Sequence, residues 1–467
     1  MTKENIITRF KRALRRKEPD KAMLQISQQV WRLSLPAVVE MVMVSLVSVI
    51  NMMMVSRLGA AEISAVGLIQ QPVNLALTVV VSLNVGITAI VARALGAEHP
   101  ELVDRAFSQA LLFSGALGIL IGAVFAGSAI PIATFMGGQG EVIPLATTYL
   151  RIISVSMPLF TLSSTVLAAL RGAGDARTAL QVNSIANVLV VVFGLPLIYG
   201  YGPLPRLGVA GAAYGLVLAR VYMITVSMIA VNSRRAKVRF RLQRPFFHRI
   251  LLRETLRVGI PSAVEQLLLQ SGLIFFVRSV AMMGTTVLAA HQIVSNITNL
   301  SWQPASGFAV AATALSGQYL GAGKPQDAEF AIRRAQRFGQ VVAWSMLCIF
   351  LFLGRYIIGL YTTDPTVIEM AIPALCVVAL VQPSQSTQII YSGGLRGAGA
   401  TVEPLMSTAF GIWVVRNVVL AITVRLLNLG LMGAWLAIAV DQLSRYLFIG
   451  YLFRRGRWKY VRMGLSA

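Results

Sequence analysis

The amino-acid sequence predicts an all-α integral membrane protein with twelve transmembrane helices in two pseudo-symmetric six-helix lobes. Three observations carry that prediction. The 467-residue chain is 56% hydrophobic and only 13% charged. Its apolar runs exceed the ~18 residues that mark a bilayer-spanning helix. The chain also repeats itself at an offset of 225 residues: Pro36-x-x-x-Glu40 returns as Pro261-x-x-x-Glu265, and Leu95-Gly96-Ala97 as Leu320-Gly321-Ala322. The same offset carries Pro158 onto Pro383 and Leu170-Arg171-Gly172-Ala173-Gly174 onto Leu395-Arg396-Gly397-Ala398-Gly399. Near the end of each copy it falls to 222, where Leu207-Gly208-Val209-Ala210-Gly211-Ala212 meets Leu429-Gly430-Leu431-Met432-Gly433-Ala434. A register held through so many segments marks one module duplicated and fused.

Apolar runs between polar breaks place spans near 33–56, 66–92, 106–130, 142–169, 178–200 and 207–231, then 258–281, 287–318, 338–361, 367–394, 404–427 and 431–453. This divides the chain into a basic N-terminal arm (1–27), an N-lobe (28–231), a basic linker (232–257), a C-lobe (258–453) and a basic tail (454–467). Six crossings per copy is an even number, so both copies traverse the bilayer in the same sense and are related by a pseudo-two-fold axis along its normal.

The net charge of +23 does not point to nucleic acid, because the basic residues gather between apolar runs rather than on one soluble face. They set orientation instead. The linker holds Arg234, Arg235, Lys237, Arg239, Arg241, Arg244, Arg249, Arg253 and Arg257, and the arm holds Lys11, Arg12, Arg15, Arg16 and Lys17. The tail adds Arg454, Arg455, Arg457 and Lys459, and Arg333, Arg334 and Arg337 follow span eight; the alternate loops, such as 137–141 and 361–364, carry almost no base. Both termini are therefore expected in the cytoplasm, with the linker also able to rest on anionic headgroups. No removable signal peptide is expected, since the chain is polar through Lys21. Cys348 and Cys376 lie inside apolar segments without metal-type spacing, and read as packing or lipid-facing residues.

Acidic residues inside spans carry the chemistry, because each costs ~2.5–3.5 kcal/mol on insertion scales and usually faces a cavity. Glu40 and Glu265 sit at matching depth in the first span of each copy, ~10 Å in from the basic side at ~1.5 Å per residue. A carboxylate there can exchange a proton for a cation, or it can simply accept a hydrogen bond from a neighbouring helix. Asn51 follows Glu40 on nearly the same helical stripe. Asn183, Asn187, Gln292, Asn296 and Gln385, with Asn74, Asn84, Gln382 and Gln388, are cavity-lining candidates that could equally serve as interhelical links. Asp441 and Arg416 lie mid-span in the last two helices and are expected to form a structural ion pair, since an unpaired charge there is costlier. Arg220 has no evident partner in the sequence. His291 reads as a packing residue or a proton relay, and Met41, Met43, Met52, Met53 and Met54 as packing or an adaptable apolar surface. The Leu-Gly-Ala and Leu-Arg-Gly-Ala-Gly turns end helices, with Arg171 and Arg396 expected on the last carbonyls.

Taken together, Met53-Met54-Val55-Ser56-Arg57-Leu58-Gly59 continuing to Ile63-Ser64-Ala65-Val66-Gly67, Leu288-Ala289-Ala290-His291-Gln292-Ile293, the two Leu-Arg-Gly-Ala-Gly turns and Tyr199-Gly200 leading to Leu207-Gly208-Val209-Ala210-Gly211-Ala212 resemble the multidrug and toxic compound extrusion (MATE) family. The resemblance covers roughly 28–453. It implies a twelve-helix antiporter of the prokaryotic plasma (inner) membrane. Inward sodium or proton flow would drive export of small organic compounds, often cationic or amphipathic, by alternating access. Sodium or a proton is the coupling ion, no cofactor or nucleic acid is implied, and membrane lipids and a monomeric state are expected. Many members carry Asp where this chain has Asn51, and some where Gln385 stands. The coupling role therefore falls on Glu265 and Glu40, the residues expected at a sodium site if there is one, with Asn51, Gln292, Asn296, Gln385, Asn183 and Asn187 along the route. The alternatives are a flippase for lipid-linked oligosaccharide or lipid, which would line its cavity with cations, and an integral membrane enzyme, for which the scattered His99, His248 and His291 offer no constellation.

Overall fold

A computed structural model describes residues 3–56, 58–201, 205–233, 237–240, 248–461 and 463–464, without the side chains of 3–22, 48, 49, 52, 55, 56, 60 and 425. The arm's basic side chains, Met52, Arg57 and linker residues Arg234, Arg235, Arg241 and Arg244 lie outside this description.

The N-lobe comprises α1 (Lys3–Ser56), α2 (Ala60–Gly96), α3 (Pro100–Gly127), short α4 (Ala129–Phe135), α5 (Val142–Val155), α6 (Met157–Gly172), α7 (Ala176–Tyr199) and α8 (Val209–Asn232). The C-lobe comprises α9 (Arg249–Ala281), α10 (Thr285–Gly321), α11 (Pro325–Gly359), α12 (Pro365–Gly397), α13 (Val402–Thr408), α14 (Asn417–Leu420) and α15 (Gly430–Arg455). No strand occurs among the described residues. The turn signals act as expected: α2 and α10 end on the Leu-Gly-Ala glycines, and Pro100 and Pro325 open the next helices. At that first helical position a proline's missing N–H removes no intrahelical bond.

Among the described residues ten helices are long and apolar enough to cross a bilayer, and the bent α5–α6 pair, taken as one span, makes an eleventh. The twelfth is α10, 37 residues long, whose Gln292, Ser295, Asn296 and Asn299 lower its apolarity because it borders the cleft. Large apolar side chains on the outer helix faces, among them Ile119 and Leu120 of α3 and Phe352 and Tyr356 of α11, are exposed as a lipid-facing surface requires.

Two spans depart from the sequence expectation. Span four is broken between α5 and α6 with a bend of 48°, whereas its repeat α12 is continuous through Pro383. The difference lies two residues before the proline. Ser156 donates to the Ile153 carbonyl at 2.8 Å and accepts from Arg220 at 2.5 Å, while the matching Val381 can do neither. A polar side chain inserted into the helical ladder, next to a proline, is a recognised cause of a kink. Span eleven is π-helical over Ala409–Arg416 and Ala421–Leu426. The wider turn admits an extra residue per loop and is frequent at functional sites.

The lobes meet reciprocally: α1 packs on α10, its counterpart α9 packs on α2, and α2 crosses α10 at the axis. Ile26 of α1 is buried among α10, α11 and α12 residues of the C-lobe. Its repeat equivalent Leu251 of α9 is buried with Ile90 and Ala106 of the N-lobe. The first helix of each copy therefore starts on the other lobe and ends in its own.

Candidate functional site

Glu40 and Glu265 are each only 2% exposed, so neither stands open at the floor of a cleft. Glu40 accepts from Arg171 Nη1 at 2.9 Å and from Asn183 Nδ2 at 2.8 Å. Glu265 accepts from Arg396 Nη2 at 2.8 Å on both oxygens and from the Thr408 hydroxyl at 3.1 Å. Arg396 is the 225-residue equivalent of Arg171, and Thr408 of Asn183, so the two triads are one device in two copies. This corrects the expectation that the arginines cap helix carbonyls. A carboxylate within reach is the stronger, charge-assisted acceptor, and the last turns of α6 and α12 place the guanidiniums against α1 and α9. Each triad fastens the lobe-crossing helix to its own lobe.

On the basic side of the molecule the lobes are tied together by a second duplicated device. At the end of α2, Arg93 donates to the Ala398 carbonyl of the C-lobe at 3.3 Å and to the Val461 carbonyl of the C-terminal tail at 2.7 Å. Its counterpart on α10, Gln318, donates to the Gly172 carbonyl of the N-lobe at 2.8 Å. The helices cross so closely that a Cβ on Gly96 would lie 1.9 Å from the Gln318 oxygen, and one on Gly321 would lie 2.1 Å from the Arg93 oxygen. Only glycine permits that approach. Along the same helices toward the opposite face, Gln71, Asn74, Gln292, Asn296 and Asn299 are exposed, and Gln71, Gln292 and Asn299 border a cavity. Removing one neutral hydrogen bond costs about 1 kcal/mol and one from a charged donor about 1.5–3. Arg93→Ala should therefore open the basic side more than Gln318→Ala does, read as faster alkylation of a cysteine placed at buried Ala92; equal rates would contradict the assignment.

A cavity of about 390 Å³ lies in the C-lobe, walled by α9, α10, α12, the π-helical segment and α15, with Gln71 of α2 at its edge. Gln292, Gln385, His291, Arg416 and Arg445 line it. The expected Arg416–Asp441 pair is present and is joined by a residue the sequence reading missed. Asp441, fully buried, accepts from Arg416 Nε at 3.1 Å and Nη2 at 2.5 Å, and from Arg445 Nε at 2.9 Å and Nη2 at 3.1 Å. The signal for Arg445 was the i, i+4 spacing from Asp441. His291 sits between the Phe276 and Trp435 rings, at 5.4 and 5.3 Å between centroids, and within 3.3 Å of the Ser295 hydroxyl, a packed position at the wall.

Of the remaining candidates, Asn183 joins the Glu40 triad. Asn187 leaves its Nδ2 unpartnered, and Asn51 is partly buried. Asn296 is exposed on α10 but outside the cavity wall. Asn84 is a structural link, donating to Ser164 and accepting from Thr165 at 3.0 Å. The methionines divide: Met54 is buried in a packing cluster and Met53 is exposed. Among the described residues no group of three or more His, Cys, Asp or Glu could hold a metal ion.

The MatE family model matches residues 36–195 and 261–423, one segment in each lobe. The chain belongs to the MatE family. Among MatE relatives, the probable multidrug resistance protein NorM of Thermotoga maritima is 28% identical, over 94% of this chain and 95% of that protein. A solved structure described as the outward-facing conformation of a multidrug resistance MATE family transporter of the MOP superfamily superposes with a TM-score of 0.85 at 26% identity, covering 93% of this chain and 96% of the other. A MOP superfamily transporter from Pyrococcus furiosus, described as having a binding pocket of reverse polarity, gives 0.86 at 25% identity, covering 94% and 97%. This MatE chain is thus a multi-pass membrane transporter of the multidrug resistance type.

Proposed function

We propose that the protein exports small organic compounds by alternating access, driven by inward movement of sodium ions or protons, and that Glu265 and Glu40 are the coupling carboxylates. The observation that carries this reading is the duplicated triad at the foot of each lobe-crossing helix. A proton or sodium ion arriving at Glu265 competes with Arg396 for the same oxygens. Neutralising the carboxylate weakens its hold on Arg396. That frees α9 from α12 and α13 and so alters how α9 bears on α2. Ion occupancy and lobe contact then share one element, which a coupled carrier requires. The excess of Lys and Arg on one face supports an orientation with both termini in the cytoplasm of a prokaryotic cell, by the positive-inside rule, and the cleft opening outward.

The test is efflux of a fluorescent organic compound from proteoliposomes under a sodium or a pH gradient applied separately. Wild-type protein should export under one of the two gradients. Glu265→Gln should lose at least tenfold of that rate, and Glu40→Gln with Glu265→Gln together should abolish it, while binding of the compound without a gradient persists. Unchanged coupled transport in correctly inserted double mutant would end the proposal. A second reading, a lipid flippase, is favoured by Arg416 and Arg445 in the cavity wall; movement of headgroup-labelled lipid without export of soluble compounds would select it.

A further inference from the structure

The intramembrane charges do not balance. Each Glu–Arg triad is neutral, but the C-lobe cavity has two guanidiniums, Arg416 and Arg445, against one carboxylate, Asp441, and none of the residues lining it is acidic. Asp441 already accepts four guanidinium hydrogen bonds, so it has no capacity left to neutralise the second cation. Arg416 is 5% exposed, its Nη1 has no hydrogen-bond partner, and its guanidinium lies 5.7 Å from the Phe276 ring centroid. Buried charges are ordinarily paired, and a surplus one in the middle of a span is expensive unless something compensates it.

Elsewhere on the wall the Trp435 Nε1 donor is buried without a partner, as are His291 Nδ1 and the Gln442 Oε1 acceptor. Phe276, Trp302, Trp435 and Ile438 supply apolar and aromatic surface. A volume of about 390 Å³ falls in the range of small-ligand pockets.

The cluster is not inherited from the duplication. At the repeat offsets Arg416, Asp441 and Arg445 correspond to Val191, Ala219 and Met223, so the N-lobe has none of the three. It instead places one mid-span guanidinium, Arg220, on the Ser156 hydroxyl and 5.0 Å from the Phe160 ring centroid, again without a carboxylate partner in that contact. The duplicated parts of the molecule are the triads and the glycine crossing; the Arg416–Asp441–Arg445 cluster has no counterpart in the N-lobe sequence.

We infer that this cavity binds an organic anion: an amphipathic molecule whose carboxylate, sulfonate or phosphate meets the surplus charge of Arg416 and Arg445 while its body packs on Phe276, Trp302 and Trp435. The inference rests on the exporter reading for its biological sense. Such a ligand differs in charge from the cationic compounds that the family resemblance implies.

The test measures binding in detergent, with no gradient, so that it is independent of transport. Three probes share one dansyl body: dansylglycine with a carboxylate, dansylamide without charge and dansylcholine with an ammonium. Energy transfer from Trp302 and Trp435 reports occupancy. Wild-type protein should bind dansylglycine at least tenfold more tightly than dansylcholine. Arg416→Gln should weaken dansylglycine by about tenfold to a hundredfold, the equivalent of one charge-assisted hydrogen bond, and leave dansylamide unchanged. Ala439→Phe, which keeps all three charges but fills the cavity, should lose all three probes, and it serves if Arg416→Gln does not fold. Displacement of dansylglycine by dihexanoylphosphatidylglycerol alone would identify the anion as a lipid headgroup; displacement by naphthalene-2-sulfonate alone would identify a soluble amphipath. Dansylcholine binding as tightly as dansylglycine, or Ala439→Phe retaining dansylglycine, overturns the inference and leaves the exporter reading standing. Anion binding with no gradient-driven export does the opposite.

Discussion

Asp441→Asn should cost about 3–5 kcal/mol of stability, the range for a buried charge deprived of its partner. The carboxylate is fully buried and serves two guanidiniums at once, so its removal strands both in the cavity wall of a spanning segment. The expected result is loss of the monodisperse peak in fluorescence-detected size exclusion after mild heating, while wild-type protein survives. Arg445→Met should be far milder, because Arg416 and Asp441 remain a neutral pair and the thioether fills much of the vacated volume. If the two variants melt together, the charge count is not what holds the cluster.

The second large effect concerns which state the carrier occupies. Gly96→Leu or Gly321→Leu should drive the protein away from the form with its basic face closed. Even a single added carbon would fall 1.9 or 2.1 Å from a backbone oxygen of the crossing helix, and those atoms belong to main chain that cannot rotate aside. Overpacking costs typically ~1–3 kcal/mol, enough to invert a population balance of similar size. A cysteine at Ala92, buried in the described state, should become accessible from the basic side by tenfold or more. Since the two glycines are equivalent by repeat, the variants should behave alike; an effect confined to one of them would break the symmetry proposed for the gate.

The sequence made the architecture legible because apolar length and an ungapped repeat survive in one dimension. It also marked Glu40, Glu265, Arg416 and Asp441, since ionisable groups in apolar runs are few. It did not reveal that Arg171 and Arg396 turn inward. Both sit beside glycine-rich turns at span ends, where an arginine ordinarily meets solvent or carbonyls, and only the packing of α1 on α7 brings the Glu40 carboxylate within 2.9 Å of Arg171. Thr408 went unnoticed for a different reason: it is the counterpart of Asn183 but a different residue type, so polar-residue matching passes over it. The π-helical geometry of span eleven leaves no periodic trace strong enough to see in the sequence, and the break in span four depends on Ser156 meeting Arg220, a contact 64 residues apart in sequence.

The reciprocal crossing of α2 and α10 has a further meaning. Gly96 touches Gln318 while Gly321 touches Arg93, and in repeat terms each position meets the other copy's version of the same neighbour. That is the geometry of an isologous homodimer interface, carried here within one polypeptide. The fused carrier therefore retains the contact logic of two separate six-helix subunits, and the covalent join between them supplies local concentration rather than shape. We predict that residues 1–240 and 241–467, expressed as separate polypeptides in one membrane, reassemble and co-purify; halves that insert but never associate would show that the join itself organises the interface.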